Sequence, residues 1–399
     1  MKITHLETMH ADAGWRSFSF LKIETDEEIT GWSEFSDINE AARIQGMSAL
    51  IQSFSDLLIG QDPRSVELLS GNLIAATRQS QSGLNHQAIG AIQNALIDIT
   101  AKSLNVPVYR LFGGPVRTRI PLYWSHFGTY RLYPQVQDIL GLPLITTLAE
   151  FAEHALDAKA AGYRALKTKI HIFDENGGTG YFPCFGMGTG VPELNLEPGV
   201  FNAIVDQMAA LRDVVGNDFD LILDVNSNFK TEGFIRIARA MQEFNLRWLE
   251  LDCFDPEAMA EIRRQSPTSI GGCEMICTAR TYRPFFAMQA VDVPLVDVAW
   301  NGFMESLRIA ALADAYDANV TAHNFTSHLA TQMGGHFAAV TPNMQIMEFD
   351  PDEVSWLHEY FTQPLVIENG ELVLSERPGW GMDVNEEAVK ARPPRAFSL

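Results

Sequence analysis

Six polar residues stand at the ends of short apolar runs. Asp224 closes Leu221-Ile222-Leu223, Glu250 follows Trp248-Leu249, and Glu274 follows Gly271-Gly272-Cys273. Asp297 closes Pro294-Leu295-Val296, His323 follows Val320-Thr321-Ala322, and Glu348 follows Ile346-Met347. The steps between them are 26, 24, 23, 26 and 25 residues. A strand, its turn and a helix occupy about that length, so the polar residue recurs once per βα unit. In a parallel barrel all six would ring the carboxyl-terminal mouth. One acidic residue after a strand reads as a helix N-cap. Six in near-register do not, and their charges would repel unless something neutralised them. Asp224, Glu250 and Glu274 come from three adjacent runs and offer only hard oxygen donors. That set suits Mg2+, with positions left for water and substrate. Zinc is disfavoured: the trio contains no Cys or His, and Cys273 is expected to point to the other side of its strand from Glu274.

Upstream lies Ala165-Leu166-Lys167-Thr168-Lys169-Ile170. Lysine seldom occupies an inward strand position, and two lysines two residues apart point the same way. They read either as rim lysines paired with carboxylates or as a lysine base. In the second case the other lysine and the metal would lower the pKa of the base towards neutrality. Asp297 and His323 lie on neighbouring strands and can hydrogen-bond, so the carboxylate would orient the imidazole and support its protonated form. The lysines, on the second strand, and the histidine, on the seventh, approach the axis from opposite sides and can work on both faces of one carbon.

These side chains need a scaffold that repeats. After Arg119, β-branched runs at 120–123, 165–170, 221–225, 248–251, 269–273, 295–298, 319–322 and 345–347 alternate with amphipathic stretches at 148–161, 200–215, 233–244, 256–264, 305–316 and 329–340. About eight βα-like units point to a parallel α/β barrel rather than an open sheet. Residues 171–197 interrupt the pattern: they are rich in Gly and aromatics without helical period, and so predict a long functional or mobile loop. Residues 1–35 alternate apolar and polar, with turns expected at Ala13-Gly14 and Thr30-Gly31, and read as a small antiparallel sheet. From Glu40 to about Phe112 the pattern is helical, most clearly from His86 to Leu104, where Ile89, Ile92, Leu96 and Ile99 share a face. The expected division is an α+β domain over 1–118, a barrel over 119–374 and a closing segment over 375–399.

Composition bounds the partners. The chain has 399 residues, 46% hydrophobic, with 29 Lys plus Arg against 50 Asp plus Glu and a net charge of −21. Nucleic acid and anionic membrane surfaces are therefore excluded as expected partners, whereas an anionic small molecule is not, because a bound cation can reverse the local field. No transmembrane run and no secretion signal is read. The four cysteines form neither a disulfide framework nor a zinc knuckle, so a cytoplasmic protein with reduced thiols is expected.

At these residues the chain resembles the enolase superfamily, in its mandelate racemase-like subgroup. The segment Ala88–Ile99, with Pro107 and Leu111-Phe112-Gly113-Gly114, looks like the end of that family's capping domain. Lys167-Thr168-Lys169 matches its second-strand Lys-x-Lys. Asp224, Glu250 and Glu274 match its metal acids, Asp297 and His323 its sixth- and seventh-strand pair, and Glu348 its eighth-strand glutamate. The resemblance implies a modified TIM barrel, (β/α)7β-like, with an N-terminal α+β capping domain on which residues 375–399 pack back. It implies one Mg2+ per subunit and a carboxylate substrate with an α-hydrogen, passing through an enediolate; the pairing of a Lys or His base with Mg2+ is an established property of this superfamily. Lys169 would be base on one face and His323 base or acid on the other. Lys167 would offset carboxylate charge, Asp297 would orient His323, and Glu348, protonated, would donate a hydrogen bond to the enediolate. Asn226, Trp15, Arg16 and His126 are the substrate-contact candidates, with the capping loop at 11–16 and the 171–197 insertion setting specificity. The favoured reaction is dehydration of a sugar acid to a 2-keto-3-deoxy acid. Racemisation or epimerisation of an α-hydroxy acid, cycloisomerisation of a lactone, and an inactive ligand-binding barrel are the alternatives. Family members are often dimers or octamers, so a homo-oligomer is expected. Three positions depart from the pattern or compete with it: Asp252 shares the parity of Glu250, Cys273 stands where a glycine is usual, and His328 is a second candidate imidazole, expected instead to begin a helix.

Overall fold

Strands Ile3–Asp12, Ser17–Thr25 and Thr30–Phe35 pair as an antiparallel meander. The computed structural model describes residues 1–36, 45–80, 82–188, 191 and 193–395. The second turn falls at 26–29, so Thr30 and Gly31 already belong to the third strand. Gly31 is required there: a Cβ would lie 2.2 Å from the carbonyl oxygen of Ala95 on the helix behind the sheet. That helix, Gly83–Ser103, is buried over most of its length. It is buried nearly all round because it is the seam of the molecule, with its buried polar groups bonded to either side. One side takes the capping sheet, where its Asp98 accepts from Trp32 N at 2.8 Å. The other takes the barrel, where Asn94 donates to the Val298 carbonyl and accepts from Phe303 N.

The eight expected barrel strands form, at 119–124, 165–168, 220–224, 248–250, 270–272, 293–297, 320–323 and 344–349. They hydrogen-bond in that order, all parallel, and the eighth pairs with the first to close the barrel. Register decides the site: Asp224 is level with Glu250, and Asp297 with His323. The eighth strand is followed by the 3-10 turn Leu357–Tyr360 instead of an α-helix. The closing segment returns to the capping sheet, where Trp380 Nε1 donates to the Trp32 carbonyl at 2.9 Å. Among the described residues no helix is long and apolar enough to cross a membrane.

Three elements differ from the sequence reading. Helix Ala279–Ala287, between the fifth and sixth barrel strands, carries a proline at 284 that masks its period. Helix Pro134–Leu140 follows the first strand where no element was expected. The 171–197 segment is not a plain loop: His171–Asp174 and Gly177–Phe182 form a hairpin, extended by Met187–Gly188. Its glycines look like loop signals but make room for rings. A Cβ at Gly178 would meet Phe173 at 2.6 Å, and one at Gly180 would meet Phe182 at 2.1 Å.

Candidate active site

The strand ends deliver their side chains into one mouth. Strand parity places Lys167 inside, and Lys169 follows one residue beyond its strand. Past the first, third and fifth strands the backbone enters the left-handed region at His126 (φ 49°), Asn226 (φ 44°) and Cys273 (φ 77°). Such non-glycine conformations are costly and redirect the chain sharply. The bend at Cys273, where a glycine is usual in the family, precedes Glu274.

Charges of opposite sign interleave there. Lys167 Nζ lies 2.6 Å from Glu250 Oε1 and 2.7 Å from Glu348 Oε1. Lys169 Nζ lies 3.1 Å from both Asp224 Oδ2 and Asn226 Oδ1. Asn226 in turn donates to Asp224 through its amide nitrogen and its backbone N–H. Trp248 Nε1 donates to Glu250 Oε2 at 2.8 Å. His323 Nδ1 lies 2.7 Å from Asp297 Oδ2, while the other oxygen of Asp297 accepts from Trp300 N. With Nδ1 held, Nε2 faces the mouth, 3.3 Å from Glu274 Oε2 and 3.7 Å from Glu348 Oε2.

Protonation follows from these neighbours. Burial pushes Glu250 up to about 8; Lys167 opposes this, while Asp224, Glu274 and Glu348 add to it. Burial works to lower His323, but Glu274, Glu348 and Asp297 outweigh it and raise the imidazole to about 10. Two expectations change. Burial and Lys167 both pull Lys169 down, but Asp224 and Glu274 hold its ammonium above the ordinary range instead of near neutrality. Burial favours a neutral Glu348, yet Lys167 and His323 hold it well below the usual carboxylate range. Ser125 Oγ and Asn324 N also donate to its two oxygens, so here it is an anionic acceptor, not the neutral donor expected.

A divalent cation is tested by the donor set itself. Asp224, Glu250 and Glu274 offer carboxylate oxygens only, and Glu274 Oε2 is buried without a hydrogen-bond partner. Mutual repulsion among the acids adds to the rise at Glu250. These features fit a hard cation. Among the described residues no three such side chains converge on one ion position; Glu250, Asp224 and Glu274 lie instead against Lys167, Lys169 and His323 respectively.

The substrate-contact candidates meet on the capping side. Arg16 crosses from the capping domain, donating through Nη1 to the Phe325 carbonyl and through Nη2 to Asp350 Oδ2 at 3.1 Å. Its guanidinium lies 5.7 Å from the Trp15 ring, 5.4 Å from Phe18 and 5.6 Å from Tyr130. Trp15 packs on Tyr130 at 4.4 Å. His126 stacks on the same tyrosine at 5.4 Å and lies 3.5 Å from Asp350. The insertion reaches the rim: the half-exposed Phe185 ring is 6.0 Å from Lys169 Nζ. His328 begins helix His328–Val340 and pairs with Glu353, and His336 is a core residue bonded to Tyr109 N. Burial and the neighbouring Glu274, Asp224 and Glu250 raise Asp252 well above the carboxylate range.

Sequence reasoning missed Asp350, Ser125, Phe325 and Glu34. Asp350 could have been found, since it shares the parity of Glu348 at the end of the eighth strand. Glu34 gave no signal: it sits on a buried capping strand and accepts from Ser327 N and Ala330 N, both at 3.0 Å.

A capped parallel barrel with opposed acid–base groups over a ring of carboxylates defines an enzyme class. Residues 5–113 match the family model for the mandelate racemase / muconate lactonizing enzyme N-terminal domain, and residues 150–388 the enolase C-terminal domain-like model. The chain belongs to the enolase superfamily, in its mandelate racemase/muconate lactonizing enzyme group. It is 26% identical to a D-xylonate dehydratase of Haloferax volcanii over 396 residues, covering 98% of this chain and 88% of that protein. A D-mannonate dehydratase of Novosphingobium aromaticivorans is 27% identical, with 98% and 95% covered. A crystal structure from Burkholderia xenovorans LB400, provisionally named an L-alanine-DL-glutamate epimerase, is 40% identical with TM-score 0.94 and 99% of each chain covered. A structure under the same name holds magnesium and fumarate, with 100% of this chain and 97% of that one covered.

Proposed function

We propose that the protein dehydrates a sugar acid: it removes the α-proton of a 2,3-dihydroxy carboxylate and expels the β-hydroxyl as water, giving a 2-keto-3-deoxy acid. The observation that carries this is the fixed His323. With Nδ1 bound to Asp297 at 2.7 Å, its Nε2 is presented to the mouth across the barrel from Lys169. Asp224, Glu250 and Glu274 would hold one Mg2+, which when bound offsets the charge that develops on the substrate carboxylate.

Once Asp224 and Glu274 are engaged by a cation, their charges no longer keep the Lys169 ammonium protonated, and Lys169, then the free amine, takes the α-proton. The electron pair of that C–H bond becomes the double bond of an enol as the β-carbon–oxygen bond breaks. His323 gives its Nε2 proton to the departing hydroxyl, which leaves as water; the enol then takes the proton back from Lys169 on its β-carbon and gives its hydroxyl proton to His323, becoming the ketone and restoring both groups. Lys167 offsets carboxylate charge, Asp297 positions the imidazole, and Asn226 holds Lys169. The dehydratase names of the curated relatives support this reading. Epimerisation is the second reading, favoured by the same opposed pair and by the name of the 40% identical relative. The test is incubation of α-hydroxy acids and dipeptides with protein and Mg2+ in deuterated water, followed by NMR. A 2-keto product supports dehydration, exchange without such a product supports epimerisation, and neither with any acid sinks both.

A further inference from the structure

We propose that the capping side of the mouth selects a neutral, hydroxyl-bearing distal end, so that the substrate is a monocarboxylic sugar acid and not a dicarboxylic one. This rests on the sugar-acid reading above and narrows it. The α-carboxylate has its own place among the cations of the barrel floor. What differs between the two acid classes is the far terminus: a hydroxymethyl group in one, a second carboxylate in the other.

The far side is served by Arg16, which among the described residues is the capping-domain guanidinium that crosses to the strand ends. Its charge is already matched, because Nη2 lies 3.1 Å from the buried Asp350. Glu353 adds to that attraction from further off. His126, which shares Asp350, adds no compensating charge: burial and the nearby lysines hold it neutral. A second carboxylate arriving here would find the guanidinium already paired and would lie beside the Asp350 carboxylate, a like-charge contact that is unfavourable among buried groups. A hydroxyl meets a different surface. Arg16 Nε and Trp15 Nε1 are buried donors without hydrogen-bond partners, and Asp350 is an acceptor beside Arg16. Paired donors and an acceptor read a diol or hydroxymethyl group, and rejecting a misfit is inexpensive for a site whose charges already cancel. The rings of Trp15 and Tyr130, 4.4 Å apart, close the apolar side.

Asp350 therefore determines specificity by cancelling Arg16, which makes a gain of binding the decisive test. Affinities are measured by calorimetry with Mg2+ present for the pairs D-gluconate and D-glucarate, D-galactonate and galactarate, and D-mannonate and D-mannarate. In the wild-type protein at least one monoacid is expected to bind about tenfold or more tighter than its diacid. Asp350→Asn, nearly isosteric, uncovers the guanidinium and is expected to strengthen diacid binding about tenfold. Adding Arg16→Gln to that variant should abolish the gain, a reversal that a merely structural role for Asp350 does not produce. Equal or tighter diacid binding by the wild-type protein, binding of none of the six acids, or an unchanged diacid affinity in folded Asp350→Asn overturns the proposal. Preferential monoacid binding without exchange or turnover instead leaves it standing and sinks the dehydratase reading.

Discussion

On the floor of the mouth, Asp224, Glu250, Glu274 and Glu348 share two lysines and His323; at the roof, Glu34 crosses from the capping domain to the start of helix His328–Val340. Burial raises both Glu250, to about 8, and Glu34, to about 7. Their other surroundings differ. Around Glu250, Lys167 and the Trp248 indole N–H oppose burial, while Asp224, Glu274 and Glu348 reinforce it. Around Glu34 every further influence lowers the carboxyl: Ser327, Ala330 and Arg16 all stabilise the anion. The roof is settled by the chain itself, with helix N–H groups as donors. The floor keeps an excess of carboxylates that a divalent cation suits. Folding fixes the first for rigidity and leaves the second to chemistry.

That contrast can be broken from the floor upward. Lys169→Ala should lower turnover about a thousandfold and abolish exchange on one face, while Mg2+ binding, read by calorimetry, survives; loss of the metal as well would show that Lys169 shapes the metal site. Glu274→Gln should weaken Mg2+ at least about tenfold, since even partners one shell further out contribute that much; an unchanged metal affinity removes Glu274 from the ligand set. The roof should respond in stability, not metal affinity. The folded protein holds a proton on Glu34 up to about pH 7, whereas the unfolded chain releases it near its ordinary 4.5. Stability therefore falls as pH rises between those values, by about 3 kcal/mol relative to Glu34→Gln. Urea titrations at pH 4.5 and 7.5 read the difference, and parallel curves would show that Glu34 stays ionised. The smallest effect is expected at the rim. There Asn228 Oδ1 accepts from Cys184 N at 3.2 Å and ties the insertion down. Asn228→Ala should raise KM about fivefold or less and leave kcat unchanged; a fall in kcat would draw the insertion into the chemistry.

The regular repeat is why so much was legible. Each barrel strand is a short apolar run, and each site residue closes one, so spacing alone located Asp224, Glu250, Asp297 and His323 together with the strands that carry them. Glu274 was legible although it lies past its strand, because the repeat sets its distance. The hairpin at 171–182 was not legible, since Gly178 and Gly180 signal a loop in sequence and a ring-packing surface in space. Helix Ala279–Ala287 was hidden by its own Pro284.

The sequence by itself determined the barrel, the capping domain and the ring of acids with its Lys and His partners, because period and parity are local properties of a chain. Only the tertiary structure decided which side chains meet: Arg16 with Asp350, across 334 residues of sequence, and Glu34 with Ser327, across 293. It also decided ionisation. Whether Glu348 is acid or anion depends on Lys167, Ser125 and Asn324 arriving from three other segments. Burial and charge pairing are sums over neighbours in space, and no spacing along the chain encodes that sum.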